Sequence, residues 1–237
     1  MENYLEINYE KNMQMLSEAI SYCEEELQHS DLINELSKEN DIKKQLCIIE
    51  IKQINSQEEA NLLVYNLTGK SGPIREVCSF KILDLIENEK YNHYFQTKEI
   101  IDVITKGITD INPMVSRNMV EVVKFIKDSD YLINNIISEI NTTMSEMEDV
   151  KRNRSYELNK KNFNLYWNME ALIALSNKIT LTDEIINIVN FIAQSNDYTV
   201  REKAAKFISF FDNNEIFSNL IQTLKNDENI YVNKYFQ

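Results

Sequence analysis

The sequence predicts an all-α fold: a right-handed α-α superhelix of about six helix pairs, running as a single solenoid through residues 1–237. Three observations carry this expectation. Only 3 Gly and 2 Pro punctuate the chain, too few for the tight turns of a β-sandwich or barrel and too few for a Gly-rich phosphate loop. Hydrophobic residues make up 43% and charged residues 27%, the balance of a chain that buries a core rather than staying disordered. Finally, helix–turn–helix segments recur along it.

The elements are justified in order. Residues 1–41 carry eleven acidic residues against Lys11 and Lys38, and are expected to form acidic amino-terminal helices that cap the stack with a polar outer face. NDIKKQLCIIEIKQI, with Ile42 and Lys43 at its turn, reads as the second helix of a pair. Ser56 followed by Glu59 is a capping box opening the next helix, and Gly69 closes it. SGPIREVCSFKILDLI then starts a helix at Pro73, where a missing N–H costs nothing, with Ile74 and Arg75 at its turn. Full pairs follow from Glu99 (EIIDVITKGITDINPMVSRNMVEVVKFI), Glu184 (EIINIVNFIAQSNDYTVREKAAKFISFF) and Glu215 (EIFSNLIQTLKNDENIYVNKYF). Each has an apolar helix, a polar turn and a second helix opening near a β-branched residue, here Val115, Val200 and Ile230. Thr97, Asp128 or Ser129, and Thr182 or Asp183 are the expected helix caps. A further pair is expected near FNLYWNMEALIALSNKI, with Tyr166 or Trp167 entering its second helix. Before it, residues 141–162 form either a charged inter-helix loop or an extended helix.

DINPMVSRNMVEVV and SNDYTVREKAAKFI resemble HEAT repeats, whose turn reads Asp-Pro-x-Pro-x-Val-Arg with a small residue three positions after the Arg. Pro113, Val115, Val200, Arg201 and Ala204 fall on that pattern, as do Ile74, Arg75 and Cys78. Ser116 stands where the family usually has Arg, with Arg117 next, and the turn at Asp227 has no Pro. The resemblance implies antiparallel helix pairs and gives Arg75 and Arg201 a structural role, bonding acids or carbonyls of neighbouring turns. It leaves function open between scaffolds, adaptors and a few enzymes.

Charge narrows the partners. The net charge of -13 opposes binding to nucleic acid, whose affinity rests on cations, and to an anionic membrane surface. No apolar run is long enough to span a bilayer and the acidic start is no signal peptide, so a cytoplasmic protein is expected. Cys23, Cys47 and Cys78 match neither a disulfide framework nor a zinc pattern and are expected to be buried thiols. His29 and His93 have no nucleophile signature beside them. No metal or cofactor is expected; Glu25 and His29 alone share a helix face.

The reading is therefore a non-enzymatic binding module for a protein or peptide, basic partners included: a scaffold, an adaptor or an immunity-type inhibitor of a basic partner. The alternative is a HEAT-like enzyme such as a DNA alkyl-base glycosylase or a bilin lyase. The partner-binding candidates are the acidic Glu24, Glu25 and Glu26, the basic Lys151, Arg152 and Arg154, and the aromatics Tyr156 and Trp167, with Tyr166 beside them. Arg75, Pro113, Val115, Val200 and Arg201 are the structural residues of the repeat turns. A concave face drawn from the second helices would include Lys43, Lys44, Glu76, Asn118, Glu121, Glu202 and Lys203. The Ile-, Lys- and Asn-rich usage points to a bacterial source.

Overall fold

The computed structural model describes residues 2–23, 27–148, 155–211 and 215–237, apart from the side chains of 2–8, 148 and 155. Every regular element among them is helical. The chain divides into two compact units. Unit 1, Met1–Gly107 with Ile111–Phe125, holds α1 (Glu2–Cys23), α2 (His29–Glu35), α3 (Asp41–Glu50), α4 (Gln57–Tyr65) and α5 (Gly72–Glu87). It continues with α6 (Glu89–Asn92), α7 (Lys98–Ile108, whose last residue falls in the other unit) and α8 (Pro113–Val122). Unit 2, Ile108–Asp110 with Ile126–Gln237, holds α9 (Ser129–Glu148), α10 (Ser155–Ala174), α11 (Asp183–Ala193), α12 (Tyr198–Ile208), α13 (Ser218–Lys225) and α14 (Ile230–Asn233). No described helix is long and apolar enough to cross a membrane.

Many of the described helices, though not α5 or α13, start where short polar side chains satisfy the free N–H groups of a first turn. Asn40, Ser56 and Thr182 accept from the third backbone N–H beyond them. Asn112, Asp197 and Asn229 each accept from the second, at 2.9 Å in all three cases. Thr97 and Asp128 also cap, accepting from Ile100 and Tyr131. The capping box at Ser56 is displaced by one residue: the Glu59 carboxylate receives the N–H of Asn55, at 2.8 Å, rather than that of Ser56.

Within unit 1, α5 packs against both α3 and α8; within unit 2, α12 packs against both α10 and α14. Partner helices close from the side, α9 on α10 and α11 on α12. In unit 1, α7 and α8 approach so closely at Gly107 that a Cβ there would lie 2.8 Å from Met119 Cγ. The β-branched residue of each repeated turn seals the junction: Ile74, Val115 and Val200 are buried.

Two expectations are corrected. In the last pair, Ile230 is 66% exposed and Val232 is fully buried. The cap sets the register: Asn229 occupies the place of Asn112 and Asp197, so the buried position three residues on is Val232. Val232→Ala is therefore expected to cost about 2 kcal/mol in urea unfolding, against less than about 0.5 kcal/mol for Ile230→Ser. Equal losses would reject this register. In the pair expected near Tyr166 and Trp167, α10 begins at Ser155, so both residues lie in its interior, half-buried, rather than at its entry. Residues 141–148 belong to α9 and 155–162 to α10, so the segment 141–162 is helical at both of its described ends.

Candidate functional site

Within each unit, polar rungs join packed helices through residues 33 to 39 apart in sequence. Between α5 and α8, Asn112 donates to Glu76 at 2.7 Å and the buried Asn118 donates to Ser79 Oγ at 2.9 Å. Between α10 and α12, Lys206 donates to both oxygens of Glu170 at 3.2 and 3.1 Å. Between α12 and the 3-10 turn Lys234–Phe236 that follows α14, Tyr235 donates its hydroxyl proton to Glu202. Asn118 and Lys203, expected on an open face, are instead buried within these junctions, because each satisfies its polar atoms on the neighbouring helix. A buried polar group without such a partner would cost far more than the bond itself gains.

Arg75 and Arg201 build the same turn twice. Arg75 Nη1 donates to the carbonyls of Gly69 and Lys70, and Arg201 Nη1 to those of Ser195 and Asn196. Both reach back six and five residues, closing the loop ahead of their own helix. Arg201 goes further, meeting Asp227 with Nε at 2.7 Å and Nη2 at 3.1 Å. This two-point pair raises the Arg201 guanidinium and lowers the Asp227 carboxyl from their ordinary values.

A charge cluster lies where α10 and α12 meet. The Lys203 ammonium is 2.5 Å from Glu170 Oε1 and 2.5 Å from Glu202 Oε2, and sits 4.4 Å above the centroid of the Tyr166 ring. Burial alone would lower the Lys203 pKa, but the hydrogen bonds and charges of Glu170 and Glu202 outweigh it and drive it up. Burial alone would likewise raise Glu170, and Lys203 with Lys206 holds it below the usual carboxylate range.

Beside this cluster is a groove of about 400 Å³ lined by Asn159, Asn162, Phe163, Tyr166, Trp167, Asp197 and Thr199. Residues 159, 162, 163, 166 and 167 fall on one face of α10 by helical spacing, and the α12 cap supplies the other wall. The rings meet edge to face, Phe163 to Trp167 at 6.2 Å and Tyr166 to Trp167 at 5.2 Å. Asp197 Oδ1 accepts from the N–H and hydroxyl of Thr199, Oδ2 accepts from the Asn162 amide at 3.3 Å, and the carboxylate charge also acts on Arg201. Asn162 Oδ1 is shielded from solvent and finds no donor among the described residues.

Unit 1 has a groove of about 560 Å³ lined by Tyr22, Cys23, Leu27, His29, Leu32, Leu46, Glu50, Lys52 and Gln53. His29 Nε2 lies 2.9 Å from Glu59. Cys23, expected to be buried, is exposed because it ends α1 at this groove; Cys47 and Cys78 are buried. Burial pushes the Cys47 thiol up to about 11 and raises Cys78, whose Sγ donates to the Leu63 carbonyl. Ellman's reagent is thus expected to titrate one thiol in the native chain, none in Cys23→Ser, and all three after denaturation. Rapid reaction of two or three thiols in the folded protein would reject this burial.

Of the residues singled out from sequence, Glu24, Glu25, Glu26, Lys151, Arg152 and Arg154 lie outside the described residues. Tyr156 is 75% exposed and Trp167 lines the aromatic groove. Pro113 opens α8. Sequence reasoning named neither Asn162, Phe163 and Asp197 as one site nor Glu170 as the partner of Lys203. The 35-residue step from Asn162 to Asp197 was available as a signal, but α10 opens eleven residues earlier than its expected entry and hid the alignment. No family model matches the chain, and no curated protein matches it.

Proposed function

We propose that this chain is a HEAT-like α-solenoid whose helix pairs stack as a right-handed superhelix and bind a basic protein or peptide without catalysing a reaction. The observation that carries the reading is the turn built twice, Arg75 and Arg201 each closing on the carbonyls six and five residues back. Helix pairs joined by one repeated turn expose extended surfaces rather than a single deep site, and such surfaces serve recognition. The net charge of -13 favours a cationic partner and supports an immunity-type inhibitor of a basic toxin or an adaptor for one. A cytoplasmic location fits free thiols at Cys23, Cys47 and Cys78.

The test uses a partner captured from nuclease-treated lysate and then purified. Reversing Glu24, Glu25 and Glu26 to Lys is expected to slow association by roughly tenfold at low salt, because rim charge acts mainly on the on-rate. Unchanged association after the triple reversal rejects the acidic-surface inhibitor. Capture of no protein, together with turnover of a small substrate, rejects the binding-module reading itself.

A further inference from the structure

We infer that an exposed face of α1 is a coiled-coil seam that receives a basic amphipathic helix of the partner; this deepens the basic-partner reading and rests on it. Tyr9, Met13, Leu16, Ile20 and Cys23 follow one another at steps of 4, 3, 4 and 3 residues, the heptad spacing of a two-stranded seam. The first four are 66%, 48%, 40% and 55% exposed, and Cys23 is exposed too. The helix already packs through a different stripe: Ala19 is buried, with Met15 and Tyr22 half-buried beside it. Lys43 of α3 stands 3.7 Å over the centroid of the Tyr22 ring, and the Asn40 amide donates to the Met15 carbonyl at 3.1 Å. At about 100° per residue the two stripes lie roughly a third of a turn apart, so packing on α3 leaves the heptad stripe open.

The spacing selects the shape of the occupant, and the charge selects its sign. A strand presents side chains at period two, whereas a second helix sets a knob into every hole along a 3.5-residue repeat. The helix carries Glu2, Glu6, Glu10 and Glu18 against Lys11, within a segment 1–41 of eleven acids and two bases. Glu10 directly follows Tyr9, at a position flanking the seam, where coiled coils place the charges that choose a partner. A second copy would bring this acidic helix against itself, and like charges facing each other across an interface oppose association. An anionic lipid surface meets the same repulsion. A helix with apolar residues in heptads and Lys or Arg beside them answers both features: its knobs cover the stripe and its cations meet the acidic flanks.

The test uses the full-length chain and two fluorescently labelled synthetic peptides of about three heptads, with Leu at both seam positions and either Lys or Glu at the flanking positions. Anisotropy titrations at about 50 mM salt are expected to show saturable binding of the Lys peptide, about tenfold or more tighter than the Glu peptide. Met13→Gln combined with Ile20→Gln keeps a good helix former at both positions and leaves the α3 contacts in place. It is expected to weaken the Lys peptide by roughly tenfold with unchanged far-UV circular dichroism. Glu10→Lys is expected to weaken it by about threefold at low salt. This arm and the comparison of the two peptides do not depend on how the double variant folds. No saturable binding, equal binding of the two peptides, or undiminished binding in a folded double variant overturns the seam. So does a dimer in sedimentation that the double variant converts to a monomer, or binding to phosphatidylcholine vesicles that the double variant abolishes; the stripe then belongs to a second copy or to a membrane. A purified basic partner that binds wild type and the double variant alike overturns the seam while leaving the basic-partner reading standing. Lys-peptide binding lost in the double variant supports the seam even where no basic protein is captured.

Discussion

Lys203→Met is expected to destabilise unit 2 by about 3–4 kcal/mol, the largest effect of any single substitution proposed here. Lys203 is 5% exposed, and its ammonium neutralises Glu170 and Glu202 at 2.5 Å each. Methionine fills the volume but leaves Glu202 in a largely dehydrated place, with only the Tyr235 hydroxyl and Lys234, 3.9 Å away. Glu170 keeps Lys206 and suffers less. Combining Lys203→Met with Glu170→Leu and Glu202→Leu is expected to return most of the loss, because removing a whole buried network costs less than breaking it. Urea unfolding measures both; a single-substitution loss below about 1 kcal/mol would show that the cluster is solvated.

The same cluster sets a pH dependence. Glu170 is held below its ordinary value in the fold, so its contribution is complete above the unfolded glutamate pKa of about 4.3 and is lost as pH falls through the folded value. Lys203 is raised, so its contribution is complete below the unfolded lysine pKa of about 10.4 and is lost as pH rises beyond it. Stability therefore has a plateau between these limits, and Glu170→Gln is expected to flatten its acid limb.

Arg201→Met is expected to cost about 2–3 kcal/mol, the second largest effect. One side chain holds the carbonyls of Ser195 and Asn196 and both oxygens of Asp227, so its loss opens the turn ahead of α12 and releases the turn ahead of α14 together. Asp227→Asn is expected to be milder, since an Asn oxygen can still accept the Asn229 N–H that Asp227 receives at 2.8 Å. A double-mutant cycle isolates the pair, with a coupling of about 1–2 kcal/mol expected. Additive losses would mean that Arg201 acts through the carbonyls alone.

Helical character was legible because it rests on local chemistry: few Gly and Pro, apolar spacing, and caps such as Ser56 and Thr182 that bond their own first turns. The arginine turns differ from what the resemblance implies: Arg75 and Arg201 each close on carbonyls of their own loop, six and five residues back, and Arg201 also reaches the next turn at Asp227. What failed depended on counting through irregular turns. In the last pair the first β-branched residue, Ile230, is a false marker of the buried position, because the cap at Asn229 puts Val232 inside. The long α10 moved its apparent entry from Ser155 to Tyr166, and with it the pairing of Asn162 with Asp197. The buried fate of Asn118 and Lys203 was illegible because polar residues read as surface until the partners on the next helix, Ser79 and Glu170, are known.

The most direct measurement is the association rate of the chain with its purified protein partner at about 50 and 300 mM salt, where screening separates charge-steered docking from apolar docking. An acidic binding module for a basic partner requires the on-rate to fall by roughly tenfold across that range while the off-rate changes little. A partner that is acidic, or an on-rate unmoved by salt, would contradict it.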